Sequence, residues 1–126
     1  MSDYTRILCV DDIPDFHELT RLYIEQRCQN VCVAGVQSVD AAIDYIHSQE
    51  VDIVISDYKL TGETGLDLHK RIRNEYPDLP FFIFSTHRSV DGLDTESVYS
   101  KNDIPDVYDR LADDIEQTVG VNEAST

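Results

Sequence analysis

Five polar side chains stand directly after apolar runs in this 126-residue chain: the pair Asp11-Asp12, then Asp57, Ser85 and Lys101. The run before Asp57, Ile53-Val54-Ile55, leaves no polar face, which is the pattern of a strand covered on both sides. Open parallel sheets carry their chemistry just beyond the carboxyl ends of strands, so Asp57 is the candidate reactive group. Three carboxylates gathered at one sheet end repel one another unless a cation sits among them. Oxygen-only donors with room for water suit Mg²⁺. A carboxylate beside that ion can attack a phosphoryl group and become an acyl phosphate. The Lys101 ammonium and the Ser85 hydroxyl would meet the charge on a transferring phosphoryl. Taken singly these residues have ordinary readings: a helix cap, a turn residue, a solvated lysine. Their order along the chain is what joins them.

The elements that must position them can be read from periodicity. Residues 6–10 form a first strand that ends on Asp11-Asp12. Pro14 suits the first turn of a helix, and Phe16, Leu19, Leu22 and Tyr23 form its apolar stripe to about Cys28. Residues 31–36 read as a second strand. Ser38 can cap a second helix, with Val39, Ala42, Ile43 and Ile46 facing inward. After the central strand comes a Gly-containing loop, residues 61–65, and then Thr64-Gly65-Leu66-Asp67, which resembles a capping box with Asp in place of Glu. Leu68, Ile72 and Tyr76 line the helix it opens. Phe81 to Phe84 form a strand ending on Ser85, and Val98-Tyr99 a short one ending near Lys101. Asp103 caps a last helix with Pro105 in its first turn and Ile104, Val107, Tyr108, Leu111, Ile115 and Val119 inside. Strand and helix alternate, which implies an α/β fold with a parallel sheet between two helical layers. One crossover is short: residues 86–97 hold a central Gly and few good helix formers, so a loop or single turn is expected there.

Composition bounds the rest. The length gives one domain, 1–126, with a core over 6–119 and a frayed tail at 120–126. No apolar run approaches a membrane span and no signal-peptide pattern opens the chain, so a cytoplasmic protein is expected. The cysteines, Cys9, Cys28 and Cys32, are odd in number and read as packing residues rather than a disulfide framework. Asp plus Glu is 25 against ten Lys plus Arg, a net charge of −15. Such a surface repels nucleic acid and anionic lipid. Asp outnumbers Glu 17 to eight, and only three lysines occur. That balance resembles the proteins of salt-loving cytoplasms.

Val10-Asp11-Asp12, Ser56-Asp57 with the loop to Gly65, Ser85 and Lys101 together resemble the receiver domains of two-component response regulators. The likeness spans about residues 6–119. It implies a doubly wound, flavodoxin-like sheet of five parallel strands in order 2-1-3-4-5, here with the fourth helix truncated or absent. It implies that Asp57 accepts a phosphoryl group from a histidine kinase or phosphotransfer protein, and that phosphorylation switches a protein contact. Asp12, Asp57 and the Lys59 backbone carbonyl would bind Mg²⁺ directly, Asp11 through water. Ser85 would be the switch hydroxyl and Lys101 the phosphoryl partner. The chain would be a switch and not an enzyme beyond its own phosphorylation and dephosphorylation, either standing alone or as part of a longer protein.

Several positions depart from the family pattern. Leu60-Thr61 replaces the usual Met-Pro, and Asn102 the usual Pro after the lysine. The Lys101–Asn102 bond is expected trans, since a cis bond without proline costs roughly 2.5–4 kcal/mol. Val98 stands where the family carries its aromatic switch residue, with Tyr99 one place later on the opposite face. Lys59 and His87 flank the site at its rim, where they could set the lifetime of an acyl phosphate. These departures leave a second reading open, a receiver that keeps its fold as a constitutive interaction module. A third, a Mg²⁺-dependent aspartyl-phosphate phosphatase, wants an Asp-x-Asp pair that Asp11-Asp12-Ile13 does not supply.

Overall fold

At the centre of the sheet lies β3 (Ile53–Asp57), whose first four residues are buried. β1 (Thr5–Val10) pairs with one of its edges and β4 (Phe81–Ser85) with the other, both parallel. β2 (Val31–Val36) lies outside β1, and β5 (Val98–Ser100) outside β4. The order is therefore 2-1-3-4-5, as expected. The computed structural model describes residues 5–28, 30–60, 62–85, 98–100 and 106–124; for Ser85, 98–100, 106–107 and 118–124 it describes the backbone alone. Expectations for the 86–97 crossover, His87, Lys101, Asn102 and the Asp103 cap lie outside those residues.

Alternation along the strands splits the core in two. Ile7, Cys9, Ile53, Ile55 and Phe84 face α1 (Pro14–Arg27) and α4 (Asp106–Ala124), where they meet Ile24, Tyr108, Leu111 and Ile115. Leu8, Val10, Val54, Phe81 and Ile83 face α2 (Val39–Ser48) and α3 (Gly65–Glu75), where they meet Val39, Ile43, Ile46, Leu68 and Ile72. Burying each large aliphatic contributes about 1.5–3 kcal/mol, and both faces of β1 and β3 draw on it. The sheet centre is thus held by burial on both faces, and the candidate acids stand at its end.

The helix starts follow their sequence signals. The Ser38 side chain accepts from Ala41 N–H at 3.1 Å. Thr64 and Asp67 complete a reciprocal capping box, at 3.2 Å and 2.9 Å. All four expected inner residues of α2 are buried, as are Leu68 and Ile72 of α3. α1 differs. Its buried residues are Thr20 and Ile24, with Cys28 just past its end, while Leu22 is 54% exposed. Two positions along a helix are about 200° apart, so a helix turned inward at Ile24 turns Leu22 out. Thr20 can be buried because its hydroxyl shares a 2.8 Å hydrogen bond with Tyr108. The backbone of α4 runs helical to Ala124. Its one interior Gly costs only about 1 kcal/mol, too little to stop it. Cys9 and Cys28 pack as expected, and burial pushes the Cys28 thiol up to about 11. Cys32 does not: it is exposed on the edge strand β2, opposite Arg6 and on the other face from the buried Val33.

Candidate functional site

Register brings the strand ends level. Val10 stands opposite Ser56, so Asp11 leaves β1 beside Asp57. Asp57 stands opposite Phe84, so Ser85 closes β4 one step further on, opposite Ser100. Carboxylate oxygens of Asp11, Asp12 and Asp57 all lie within 4.8 Å of one another. Asp11 is only 3% exposed, and Asp12 and Asp57 are half-buried. At that spacing and an effective dielectric of about 20, each ionised pair repels by roughly 3 kcal/mol. The donors are all oxygens, on two strand ends, and open partly to water. That set fits a hard divalent cation with waters completing its shell. Among the described residues it is the only group of three or more such side chains.

Local bonding fixes both strand ends. The Asp11 N–H donates to the Val36 carbonyl at 3.0 Å, and its Oδ1 accepts from the Ile13 N–H at 2.9 Å. Its carbonyl accepts from His17 Nε2 at 2.8 Å. At the end of β3, the Ser56 hydroxyl donates to the Asp57 carbonyl at 2.9 Å, and the Tyr58 N–H to the Phe84 carbonyl at 2.8 Å. Lys59–Leu60 then pairs antiparallel with Glu63–Thr64, and Gly62 supplies the turn with φ +79°. The Gly65 N–H closes this loop on the Tyr58 carbonyl at 2.7 Å. A Cβ on Gly65 would stand 2.6 Å from the Asp57 carbonyl oxygen. Backbone meets backbone there, so only glycine lets α3 begin against the strand end.

Of the site residues expected from sequence, Asp11, Asp12 and Asp57 are brought together. Ser85 is placed by its backbone at the same sheet end, and Lys59 is exposed in the hairpin that follows Asp57. Leu60, in the place of the family's usual Met, is buried. Two residues escaped the sequence reading. His17 reaches the Asp11 carbonyl from α1, and Gly35 of β2 lies under its ring. A glycine inside an apolar strand is a signal of close approach, and Gly35 could have been read that way. Ile13, directly after the acidic pair, is 47% exposed.

Comparison with known proteins gives the same class. The model of the response regulator receiver domain matches residues 7–98. The chain is 31% identical over 85 residues to the probable transcriptional regulatory protein TcrX of Mycobacterium tuberculosis, covering 68% of this chain and 36% of TcrX. It is 35% identical over 79 residues to the response regulator GtcR of Aneurinibacillus migulanus, covering 63% of this chain and 31% of GtcR. A receiver domain of a Francisella response regulator superposes with a TM-score of 0.79 at 17% identity, covering 94% of this chain and 98% of that one. TrrA of Thermotoga maritima, solved with Mg²⁺ and beryllofluoride, gives 0.76 at 20% identity over 90% of this chain and 98% of that one. This chain belongs to the receiver domain family of two-component response regulators. It spans about a third of the length of the curated relatives TcrX and GtcR. No helix among the described residues is long and apolar enough to cross a membrane.

Proposed function

We propose that the chain is a phosphoacceptor switch in which Asp57 takes a phosphoryl group from a histidine kinase or phosphotransfer protein. The observation that carries this reading is the meeting of Asp11, Asp12 and Asp57 within 4.8 Å at the carboxyl end of the sheet. Asp57 is the nucleophile: its carboxylate oxygen attacks phosphorus, the donor's P–N bond breaks, and the imidazole leaves with a proton. Asp12, Asp57 and the Lys59 carbonyl would hold Mg²⁺ directly and Asp11 through water. Bound there, Mg²⁺ supplies charge compensation for the carboxylates and the transferring group. Asp11, buried and held by the Ile13 N–H, keeps the acidic pair in place. Ser85 and Lys101 serve the phosphoryl oxygens, as hydroxyl donor and as cation. Lys59 and His87, two residues past Asp57 and Ser85 respectively in the sequence, set how fast water removes the product. A donor that reaches Asp57 must pass the rim, where Ile13 offers an exposed apolar contact.

The test is beryllofluoride with Mg²⁺, which together imitate the phosphorylated carboxylate. Amide shifts should move around residues 11–13, 57–65 and 85, and Asp57→Asn should abolish them. Shifts that persist in the variant, or none in the wild type, would overturn the reading.

We further propose that residues 6–119 act as one cytoplasmic receiver unit in a salt-rich interior, whose surface stays hydrated through its acids. The net charge of −15 supports this. Self-repulsion is then unscreened in dilute salt. The melting temperature should climb between about 0.1 M and 2 M KCl, and a flat profile would count against a halophilic origin.

A further inference from the structure

We propose that His17 is a positioning residue for the acidic pair and that Gly35 exists to give it room; this rests on the Mg²⁺-binding reading of the site. His17 lies in the first turn of α1, and its ring packs over β2 at Gly35. A Cβ at that glycine would stand 2.5 Å from His17 Cγ, 2.6 Å from Nδ1 and 2.9 Å from Cβ. No real side chain tolerates such distances, so any other residue at 35 would push the ring away. Gly35 is not there for its backbone, because its φ is not positive, unlike that of Gly62. A glycine inside a strand is otherwise a handicap, less favourable than Ala. The space it leaves is what the ring uses.

What the ring does there follows from its other nitrogen. Nε2 lies 2.8 Å from the Asp11 carbonyl oxygen. A carbonyl can only accept, so Nε2 carries the proton and donates it. That carbonyl belongs to the peptide joining Asp11 to Asp12. The peptide is planar, so holding its oxygen fixes the plane from which Asp12 leaves. The Asp11 N–H bond to the Val36 carbonyl and the Ile13 N–H bond to Oδ1 bear on its strand position and its carboxylate, whereas the His17 bond bears on that plane. His17 therefore ties the aim of Asp12 to the edge strand β2 through α1. Outer groups that orient metal-binding residues typically change affinity by about 10–100-fold when lost.

The experiment is Mg²⁺ affinity by calorimetry on the intact chain at fixed KCl, with the melting temperature measured in EDTA. His17→Ala should weaken Mg²⁺ binding about tenfold, with a folded chain, since Ala favours the helix. Gly35→Ala should weaken it by a similar factor by displacing the ring, and should add less than about twofold when His17 is already Ala. His17→Gln, whose amide can donate to the same carbonyl, should stay within about threefold of wild type. The ordering of the four affinities should not follow the ordering of melting temperatures in EDTA. Binding by His17→Ala within about twofold of wild type would overturn the inference. So would an undiminished effect of Gly35→Ala with the ring absent. If His17→Ala fails to fold, Gly35→Ala and His17→Gln carry the same test. Wild-type chain that binds no Mg²⁺ overturns the reading of the site itself, and this inference with it.

Discussion

The two faces of the sheet are built from different interactions. Against α2 and α3 the core is mainly aliphatic, both helices start on side-chain caps, and exposed pairs, Arg71–Asp40 at 3.2 Å and His47–Glu75 at 2.7 Å, join them. Against α1 and α4 the centre is Tyr108. It is buried, stacks on Tyr23 with ring centroids 5.0 Å apart and planes 2° apart, and shares a hydrogen bond with Thr20. Arg27 lies over the Tyr23 ring and pairs with Asp109 of α4. α1 has no side-chain cap and begins two residues after Asp11-Asp12. Aliphatic burial is non-directional and tolerates small slides of a helix; a stack and a buried hydrogen bond do not. The α2/α3 face is a fixed wall. The α1/α4 face ties the geometry of the acidic end to the last helix.

Substitutions that separate burial from direction would break or sharpen this contrast. The largest effect is expected from Leu68→Ala, which hollows the aliphatic wall and should cost about 2–5 kcal/mol by urea unfolding. Thr20→Val keeps the shape of the other face but strands the Tyr108 hydroxyl, and should cost about 1–3 kcal/mol. Adding Tyr108→Phe to that variant should restore most of the loss, because both polar groups are then gone. No restoration would mean that the face is held by packing alone, like its counterpart.

The same tyrosine gives the contrast a pH axis. Burial pushes Tyr108 from its ordinary 10 up to about 12, with the Thr20 hydrogen bond opposing. A raised folded value means that its contribution is complete below pH 10 and is lost as pH rises towards 12. Tyr108→Phe should remove that part of the alkaline decline seen in melting temperature. Buried aliphatics of the opposite wall have no such dependence. His69, on α3, has its imidazolium disfavoured by burial and then by Arg73. Its lowered value gives a contribution present above 6.5 and lost as pH falls below it. The smallest effect should come from the capping box: Thr64→Ala should cost about 1 kcal/mol, read from the urea midpoint.

The aliphatic wall was legible in the sequence because each of its helices carries one clean stripe behind a recognisable cap. Ser38 and the Thr64/Asp67 pair marked the starts, and every residue of the α2 stripe is buried. In α1 the expected Leu19 and Tyr23 do pack against the core, but Leu22 points out and Thr20, which reads as a surface residue, is buried. Its burial depends on a hydroxyl 88 positions away, which no local period reports. The site divides in the same way. Asp11, Asp12 and Asp57 each close an apolar run, so topology alone gathers them. His17 and Gly35 matter through a contact between a helix and an edge strand; Gly35 alone signals a close approach, but nothing in the sequence names His17 as the group that makes it.

The most direct measurement is the intact mass of the chain after incubation with acetyl phosphate and Mg²⁺. A gain of one phosphoryl group is expected, absent with Asp57→Asn and absent when EDTA replaces the metal. An Asp57→Asn chain labelled as fully as the wild type would contradict it.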